Sequence, residues 1–219
     1  YFSSTSKSWL DHAARYSSMV TARFGLTSAS HVIEVAANDG YLLRNFVAAG
    51  IPCLGVEPTA STAAVAEAQG IPVRRSFFGQ ALAEELVADG LVADLVAGNN
   101  VYAHVPDIND FTRGLARVLK PEGVITLEFP HLMRLIEFCQ FDTVYHEHFS
   151  YLSLGTTQRI FRAAGLRIFD VEELSTHGGS LRVYGCLIGA GHVQSSSVLA
   201  LLAEEHARGM NTLAGYEGF

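Results

Sequence analysis

Short apolar runs alternate along the chain with longer segments in which apolar residues recur at helical spacing. The short runs predict seven strands, at residues 31–36, 52–57, 72–74, 93–98, 123–129, 166–172 and 181–188. The longer segments predict helices at residues 8–25, 41–49, 61–69, 80–88, 108–119, 155–164 and 198–209. This alternation predicts a doubly wound α/β fold, with helices on both faces of a mostly parallel seven-stranded sheet.

The end of the pattern departs from strict alternation. The last two predicted strands follow each other without a helix, so we expect them to pair antiparallel at the sheet edge. The serines at 195–197 are expected to cap the final helix. We therefore expect an N-terminal helical segment at 1–30, a ligand-binding domain at 31–190, and the start of a carboxy-terminal segment at 191–219.

Composition and charge restrict the partners of this domain. The chain of 219 residues has 15 Lys and Arg against 22 Asp and Glu, a formal charge of −7. A nucleic-acid surface normally needs clustered basic residues, so we expect a small-molecule ligand and no nucleic acid. No apolar run approaches the roughly 20 residues that span a bilayer, so we expect no membrane partner. We also expect a monomer.

The cysteines bear on compartment and on metal binding. Cys53, Cys139 and Cys186 are scattered, without the C-x-x-C spacing of zinc or redox sites. No secretory leader is visible in the first ten residues, which are mostly polar. These features predict a reducing, cytoplasmic location and no structural zinc.

The turn after the first strand has the form of a ligand cradle. In an open α/β sheet, ligands bind beyond the carboxyl ends of the strands, where backbone N–H groups and a helix N-terminus face them. We expect Gly40 to permit a close backbone approach there. The cofactor-binding candidates from this turn are Glu34, Ala36, Asn38, Asp39 and Gly40.

An acidic residue closes the second strand about 20 residues later, and it narrows the choice of cofactor. Glu57 is placed to accept hydrogen bonds from both ribose hydroxyls of a bound nucleoside, which suits NAD as well as S-adenosylmethionine. The turn lacks the G-x-G-x-x-G spacing that suits a pyrophosphate. Asn38 and Asp39 would disfavour a phosphate but suit an ammonium group. We therefore predict S-adenosylmethionine, with S-adenosylhomocysteine as product.

Four segments carry a resemblance that covers nearly the whole chain: EVAANDGYLL (34–43), NNVYAHVP (99–106), YHEHFSYLS (145–153) and HGGSLRVY (177–184). Together they resemble the nucleotide-sugar C-methyltransferases of deoxysugar biosynthesis. The resemblance implies a class I methyltransferase domain, Rossmann-like, that uses S-adenosylmethionine to methylate a carbon of a keto-deoxysugar nucleotide. Ala36 and Asn38 stand where methyltransferases commonly have glycines.

The resemblance also implies a protein of three parts, of which this chain holds the centre. An amino-terminal zinc-binding segment is expected to lie outside the chain. The carboxy-terminal domain is expected to continue beyond Phe219, which would leave some nucleotide contacts outside the chain as well. We expect no metal within these 219 residues.

The YHEH segment offers the base that carbon methylation requires. A proton α to a keto group is acidic enough for an enzyme base to remove, and His titrates near neutral pH. The resemblance favours His148 as the base, with Tyr145 and Glu147 beside it and His104 stabilising the enolate or orienting the substrate. Whether His148 or His104 is the base stays open, as does the local geometry. An extended segment puts residues 146 and 148 on one face, whereas a helix spreads all four positions.

Further candidates follow from the same reasoning. Near the cofactor we expect Pro58, Phe78, Asn99 and Asn100, with Phe78 against adenine. Near the substrate we expect Tyr1, His146, His177 and Arg182, and we expect the glycines after His177 to allow close substrate approach.

Three other functions are compatible with the pattern. They are a methyltransferase of another small molecule, an NAD-dependent oxidoreductase, and a cofactor-binding module without catalysis.

Overall fold

The short apolar runs form the strands of one sheet in the computed structural model, which describes residues 2–219. Within this range the sheet has seven strands: β1 Val32–Val35, β2 Cys53–Val56, β3 Val73–Arg74, β4 Ala93–Asn99, β5 Leu119–Pro130, β6 Leu166–Leu174 and β7 Ser180–Leu187. Their order is β3-β2-β1-β4-β5-β7-β6. The first five in that order pair in parallel, and β7 runs antiparallel to both of its neighbours. The predicted fold class and antiparallel edge pair are confirmed.

Helices cover both faces of the sheet. In residues 2–219 they are α1 Lys7–Phe24, α2 Leu43–Ala48, α3 Ala60–Ala68, α4 Gln80–Ala88, α5 Ile108–Val118, α6 Leu132–Glu137, α7 Leu154–Ala163 and α8 Ser196–Ala207. One apolar core joins the sheet to α4, α5, α7 and α8, and the other joins it to α1, α2 and α3. None of the helices in this range is long and apolar enough to cross a membrane.

Alternation along β1 divides its side chains between the two cores. Ile33 and Val35 pack on the α4–α5 side, whereas Val32 packs on the side of α1 and α2. Because successive side chains point to opposite faces, Glu34 faces the same side as Val32. A carboxyl group therefore lies within the apolar layer that α1 and α2 cover, 1% exposed.

Two local predictions need correction. Helix α6 was not predicted, because its six residues are too few to show a helical period. Ser195 is the residue before α8, as expected, but its side chain makes no capping hydrogen bond. Its hydroxyl instead donates to Asp170 Oδ1 at 2.5 Å, and Ser197 donates to the same oxygen at 2.8 Å. These bonds tie the start of α8 to β6.

The parallel strands end at one edge of the sheet, and their last residues surround a cleft. The turn after β1 carries residues 36–40, β2 is followed by Glu57 and Pro58, and β4 ends at Asn99. The 3₁₀ turn Tyr102–His104 and the segment between α6 and α7 close the far side. The topology thus gathers the predicted cofactor residues at one place.

Candidate active site

The turn after β1 adopts a left-handed backbone at three positions. The φ angles are 59° at Ala36, 51° at Asn38 and 79° at Gly40. Ala36 and Asn38 thus take the backbone conformation that glycine adopts most easily, at some cost in strain. Hydrogen bonds hold the turn: the Asn38 N–H donates to Glu57 Oε2 at 3.0 Å, and the Ser3 N–H donates to Asn38 Oδ1 at 3.0 Å.

Three glycines of the predicted site allow close packing within the protein, and a close ligand approach at the same positions stays a prediction. A Cβ added to Gly40 would lie 2.4 Å from Ile71 Cδ1. At Gly178 it would lie 2.4 Å from Gln140 Nε2, and at Gly179 it would lie 2.9 Å from Cβ of Arg134. In each case the glycine lets another part of the protein come close.

Glu57 stands between the two ends of the cofactor cleft. It is 5% exposed, its Oε2 accepts from Asn38, and its Oε1 accepts from the Thr59 N–H at 2.9 Å. A carboxylate oxygen can accept more than one hydrogen bond, so both oxygens retain acceptor capacity toward the cleft. Glu57 can therefore accept further hydrogen bonds from a ligand in the cleft.

Buried polar atoms without partners lie around the same turn. Both oxygens of Glu34, Asp39 Oδ1, and both amide atoms of Asn99 make no hydrogen bond. Asp39 Oδ2 accepts from the Ser4 N–H at 2.9 Å. Burial, and then the charges of Asp39 and Glu57, raise the pKa of Glu34 well above its usual value. Unpaired buried polar groups are costly, so their grouping at a cleft indicates a site that a polar ligand completes.

Three adjoining cavities make up the cleft. The polar cavity, of about 610 Å³, is lined by Trp9, Asn38, Tyr41, Glu57, Asn99 and other polar residues. The apolar cavity, of about 700 Å³, is lined by Val35, Pro58, Phe77, Phe78 and Phe149 among others. The histidine cavity, of about 250 Å³, is lined by Asn100, Tyr145, His148 and His177 among others. His104 lines all three, so it lies where they meet.

Phe78 is positioned by α5. Its ring makes an edge contact with Phe111, with 5.2 Å between the ring centroids, and both rings line the apolar cavity. Phe77 also lines this cavity and is 83% exposed. An apolar cavity beside Glu57 is suited to a flat aromatic ring such as adenine.

Residues 145–148 form a turn, which is neither of the two geometries left open above. The His148 N–H donates to the Tyr145 carbonyl at 3.1 Å, and the two rings lie with centroids 4.3 Å apart. The His148 Nδ1 lies 2.8 Å from the Thr143 carbonyl oxygen. Because a carbonyl only accepts, Nδ1 carries the proton and a neutral ring keeps its lone pair on Nε2. His148 is thus arranged as a proton acceptor.

Two further imidazoles are held in their neutral form. Burial, and then the nearby His148, lower the pKa of His104, while Glu147 opposes this change. Burial also lowers the pKa of His177, with Glu128 opposing. Asn100 Nδ2 lies 2.9 Å from His177 Nε2 and donates to it. Neutral rings can donate one N–H to a substrate oxygen and still keep one acceptor nitrogen.

Both shifts predict a measurable pH dependence. In histidine-observed NMR of the folded chain, we expect His104 and His177 to titrate below 6.5. The lowered pKa favours the neutral ring in the folded state, so the stability from each site is present above the unfolded value of about 6.5 and is lost as pH falls through the folded value. His104→Gln and His177→Gln assign the signals. The urea-unfolded chain is the reference, and folded-state titration at or above its values would contradict the prediction.

Several predicted site residues lie away from the three cavities. His146 and Glu147 are exposed in the turn and are not among the lining residues. Tyr1, predicted to contact substrate, lies outside the described residues. Glu34, Asp39 and Gly40 also line none of the three cavities. The other candidates, apart from Arg182, do line them: Ala36, Asn38, Glu57, Pro58, Phe78, Asn99, Asn100, His104, Tyr145, His148 and His177.

Arg182 is also away from the cavities, and its partners give the reason. It lies opposite Glu128 in the β5–β7 register and pairs with this residue at 2.5 Å and with Glu172 at 2.8 Å. His12 from α1 bonds the other oxygen of Glu128 at 2.9 Å. The Arg182 side chain is 6% exposed and its charge is balanced, so it holds α1 to the sheet instead of meeting substrate.

Trp9 lies at the cleft but was not among the predicted site residues. It lines the polar cavity, stacks on His12 with centroids 5.0 Å apart, and meets the His177 ring edge-on at 5.5 Å. It lies one turn before the buried Ala13, on the same side of α1. Its place at the start of the helix, where α1 reaches the cleft, is the signal that could have identified it.

Comparisons with known proteins match two parts of the chain to families. Residues 9–171 match the family described as a methyltransferase domain, and residues 175–219 match a C-methyltransferase C-terminal domain. C-methyltransferase NovU of Streptomyces niveus is 35% identical over 219 residues, which cover 100% of this chain and 52% of that protein. The chain therefore spans about half the length of this relative.

Solved structures share the fold at low identity. The magnesium protoporphyrin IX methyltransferase of Synechocystis, with bound S-adenosylmethionine, is 14% identical with a TM-score of 0.60, over 80% of this chain and 78% of that one. A didemethyltoxoflavin N1-methyltransferase of Burkholderia thailandensis, with bound S-adenosylhomocysteine, is 18% identical with a TM-score of 0.60, over 83% and 81%. These structures show the shared fold, and the family match over residues 9–171 shows that the chain belongs to the methyltransferase domain family.

Proposed function

We propose that this chain is the catalytic core of an S-adenosylmethionine-dependent C-methyltransferase that acts on a keto-deoxysugar nucleotide. One observation carries the proposal: His148, with its proton fixed on Nδ1, opens into a cavity that joins the cofactor cleft at His104. Methyl transfer to carbon needs a base, whereas binding of the cofactor alone does not.

The residues of the cleft fit the cofactor. Glu57 would bind the ribose hydroxyls, and Pro58 and Phe78 would contact adenine in the apolar cavity. The unpartnered amide of Asn99 and the free Oδ1 of Asp39 would meet the amino-acid part. Their acceptor oxygens suit a cationic ligand better than a pyrophosphate. When bound, S-adenosylmethionine supplies an electrophilic methyl group to the nucleophilic carbon.

The histidine cavity provides the groups for proton removal. His148 Nε2 accepts the proton α to the ketone, and the Thr143 carbonyl stabilises the imidazolium that results. The developing enolate oxygen needs a donor, and we assign this role to His104 and Tyr145. Burial, and then Glu147, raise the pKa of Tyr145, which keeps its phenol protonated as a donor. His177, held by Asn100, would orient the sugar.

The relatives support methylation of carbon, whereas the deoxysugar nucleotide rests on sequence resemblance alone. The relative that is 35% identical is named a C-methyltransferase, and the carboxy-terminal match carries the same description. The deoxysugar nucleotide comes from the resemblance of the four sequence segments. A C-methyltransferase of another small molecule would use the same base and cofactor cleft.

Calorimetry and product analysis test the proposal. Titration of the chain with S-adenosylmethionine is expected to give saturable heat, and titration with NAD⁺ is expected to give none. Incubation with S-adenosylmethionine and a keto-deoxysugar nucleotide should yield a product with one added methyl group on carbon, detected by mass spectrometry and NMR. Binding of NAD⁺ in place of S-adenosylmethionine, or methylation on oxygen or nitrogen, would contradict it.

A further inference from the structure

A buried carboxylate on α8 accepts three hydrogen bonds, all from residues outside this helix. Glu205 is 4% exposed, and its Oε1 accepts from His131 Nε2 at 2.8 Å and from the Leu154 N–H at 2.6 Å. Its Oε2 accepts from the Gly155 N–H at 2.9 Å. Burying a carboxylate is costly unless it is fully hydrogen-bonded, so this arrangement is specific.

The partners of Glu205 are the two ends of one segment. His131 immediately precedes α6, and Leu154 begins α7, so residues 132–153 leave and return to the same carboxylate. The two ends also bond directly, since the Leu132 N–H donates to the Leu152 carbonyl at 3.0 Å. The segment between them carries the turn with Tyr145 and His148.

Helix α7 explains why an acid is required at this point. Ser153 caps the helix by accepting from the Thr156 N–H at 3.1 Å. Glu205 accepts from the N–H groups of the two residues before Thr156. These groups have no partner within α7, and the positive end of the helix favours a negative charge. A residue of α8 therefore completes the N-terminus of α7.

The segment is also attached to the other walls of the histidine cavity. The Phe149 N–H donates to the Ala103 carbonyl at 2.9 Å, next to His104. Gln140 Nε2 donates to the Gly178 carbonyl at 2.7 Å, next to His177. A shift at either end of the segment would thus change how the three imidazoles face one another.

We propose that Glu205 is a positioning residue for the His148 base, because it fixes both ends of the segment that carries this histidine. The inference rests on the proposed function in that His148 is the base. Glu205 meets none of the lining residues of the histidine cavity, so it acts only through residues 132–153.

Glu205→Gln tests this role, with Glu204→Gln as the matched control. Glutamine keeps the size of the side chain but replaces one acceptor oxygen with an N–H₂ group, which cannot accept from Leu154 or Gly155. We expect kcat for methyl transfer to fall about 30-fold, because a small displacement of a reacting group is costly. The Kd for S-adenosylmethionine should change less than about twofold, because Glu57 and Asn99 lie on other elements. Glu204 is on the same helix and pairs with Arg208 at 3.3 Å and with Arg134 of α6 at 3.7 Å. Arg134 keeps its closer partners Glu137 and Glu173, and partly exposed ion pairs contribute little, so Glu204→Gln should leave both values unchanged.

Hydrogen exchange separates this inference from the proposed function. Amides of residues 141–150 are expected to exchange faster in Glu205→Gln than in Glu204→Gln, a comparison that needs no substrate or turnover. If the wild-type chain transfers no methyl group, the proposed function fails. The exchange result still tests whether Glu205 fixes both ends of the segment. If Glu205→Gln unfolds, His131→Asn replaces it, because this variant removes one of the three bonds. It is also expected to lower kcat and speed the exchange of residues 141–150 while the Kd for S-adenosylmethionine stays nearly unchanged. Unchanged exchange, or an equal loss of cofactor binding and turnover, would overturn the inference.

Discussion

His148→Asn is expected to reduce kcat for methyl transfer about 10³-fold, within the range that a general base contributes. The Thr143 carbonyl fixes the proton on Nδ1, so Nε2 is the basic atom that faces the histidine cavity. Asparagine has no basic nitrogen and cannot take up the proton. Exchange of the substrate proton with deuterated water should disappear together with methyl transfer.

Binding of S-adenosylmethionine provides the internal control for this variant. Calorimetry should give the same Kd for His148→Asn and wild type within about twofold, since the cofactor residues lie on β1, β2 and β4. His206→Asn, at an exposed position on α8, is the matched histidine variant and should retain full turnover. Unchanged turnover in His148→Asn would show that the base is another residue, and His104 is the remaining candidate in this cavity.

The sheet could be predicted because each strand is marked locally. The strands from β1 to β4 are short, and β1, β2 and β4 are almost wholly buried. Helical segments separate them, so pattern alone found their positions to within one or two residues. Parallel strands with crossover helices then fix which ends meet. This is why the sequence alone predicts that the cofactor candidates, from Ala36 to Glu57 and Asn99, lie together.

The positions of the other residues around the site depend on contacts between distant parts of the chain, which a local sequence pattern does not encode. Arg182 was expected to meet substrate, but the β5–β7 register puts Glu128 beside it. Glu205 lies next to Glu204 in a helix, a pattern that is typical of a solvent-exposed face. Only the packing of α8 against the start of α7 reveals its partners.

The turn at residues 145–148 shows the same limit at short range. The sequence identified the ionisable residues but not their directions, because extended, helical and turn conformations all fit four polar residues in succession. The turn brings Tyr145 and His148 together and leaves His146 and Glu147 exposed. His148 lines the histidine cavity and His146 does not, a difference that depends on the turn conformation and not on residue type.

Glu57→Ala is expected to weaken S-adenosylmethionine binding about 10²-fold while the chain stays folded. A hydrogen bond to a charged group contributes about 1.5–3 kcal/mol, so losing the bonds to two ribose hydroxyls costs on the order of 3 kcal/mol. The variant also removes the acceptor for the Asn38 N–H, which loosens the left-handed turn that faces the cofactor. Calorimetry measures the change, and Glu67→Ala, a partly exposed carboxylate paired with Arg75, is the matched control. An unaltered Kd in Glu57→Ala would mean that the ribose does not bind at the end of β2, and that the cleft holds its ligand in another orientation.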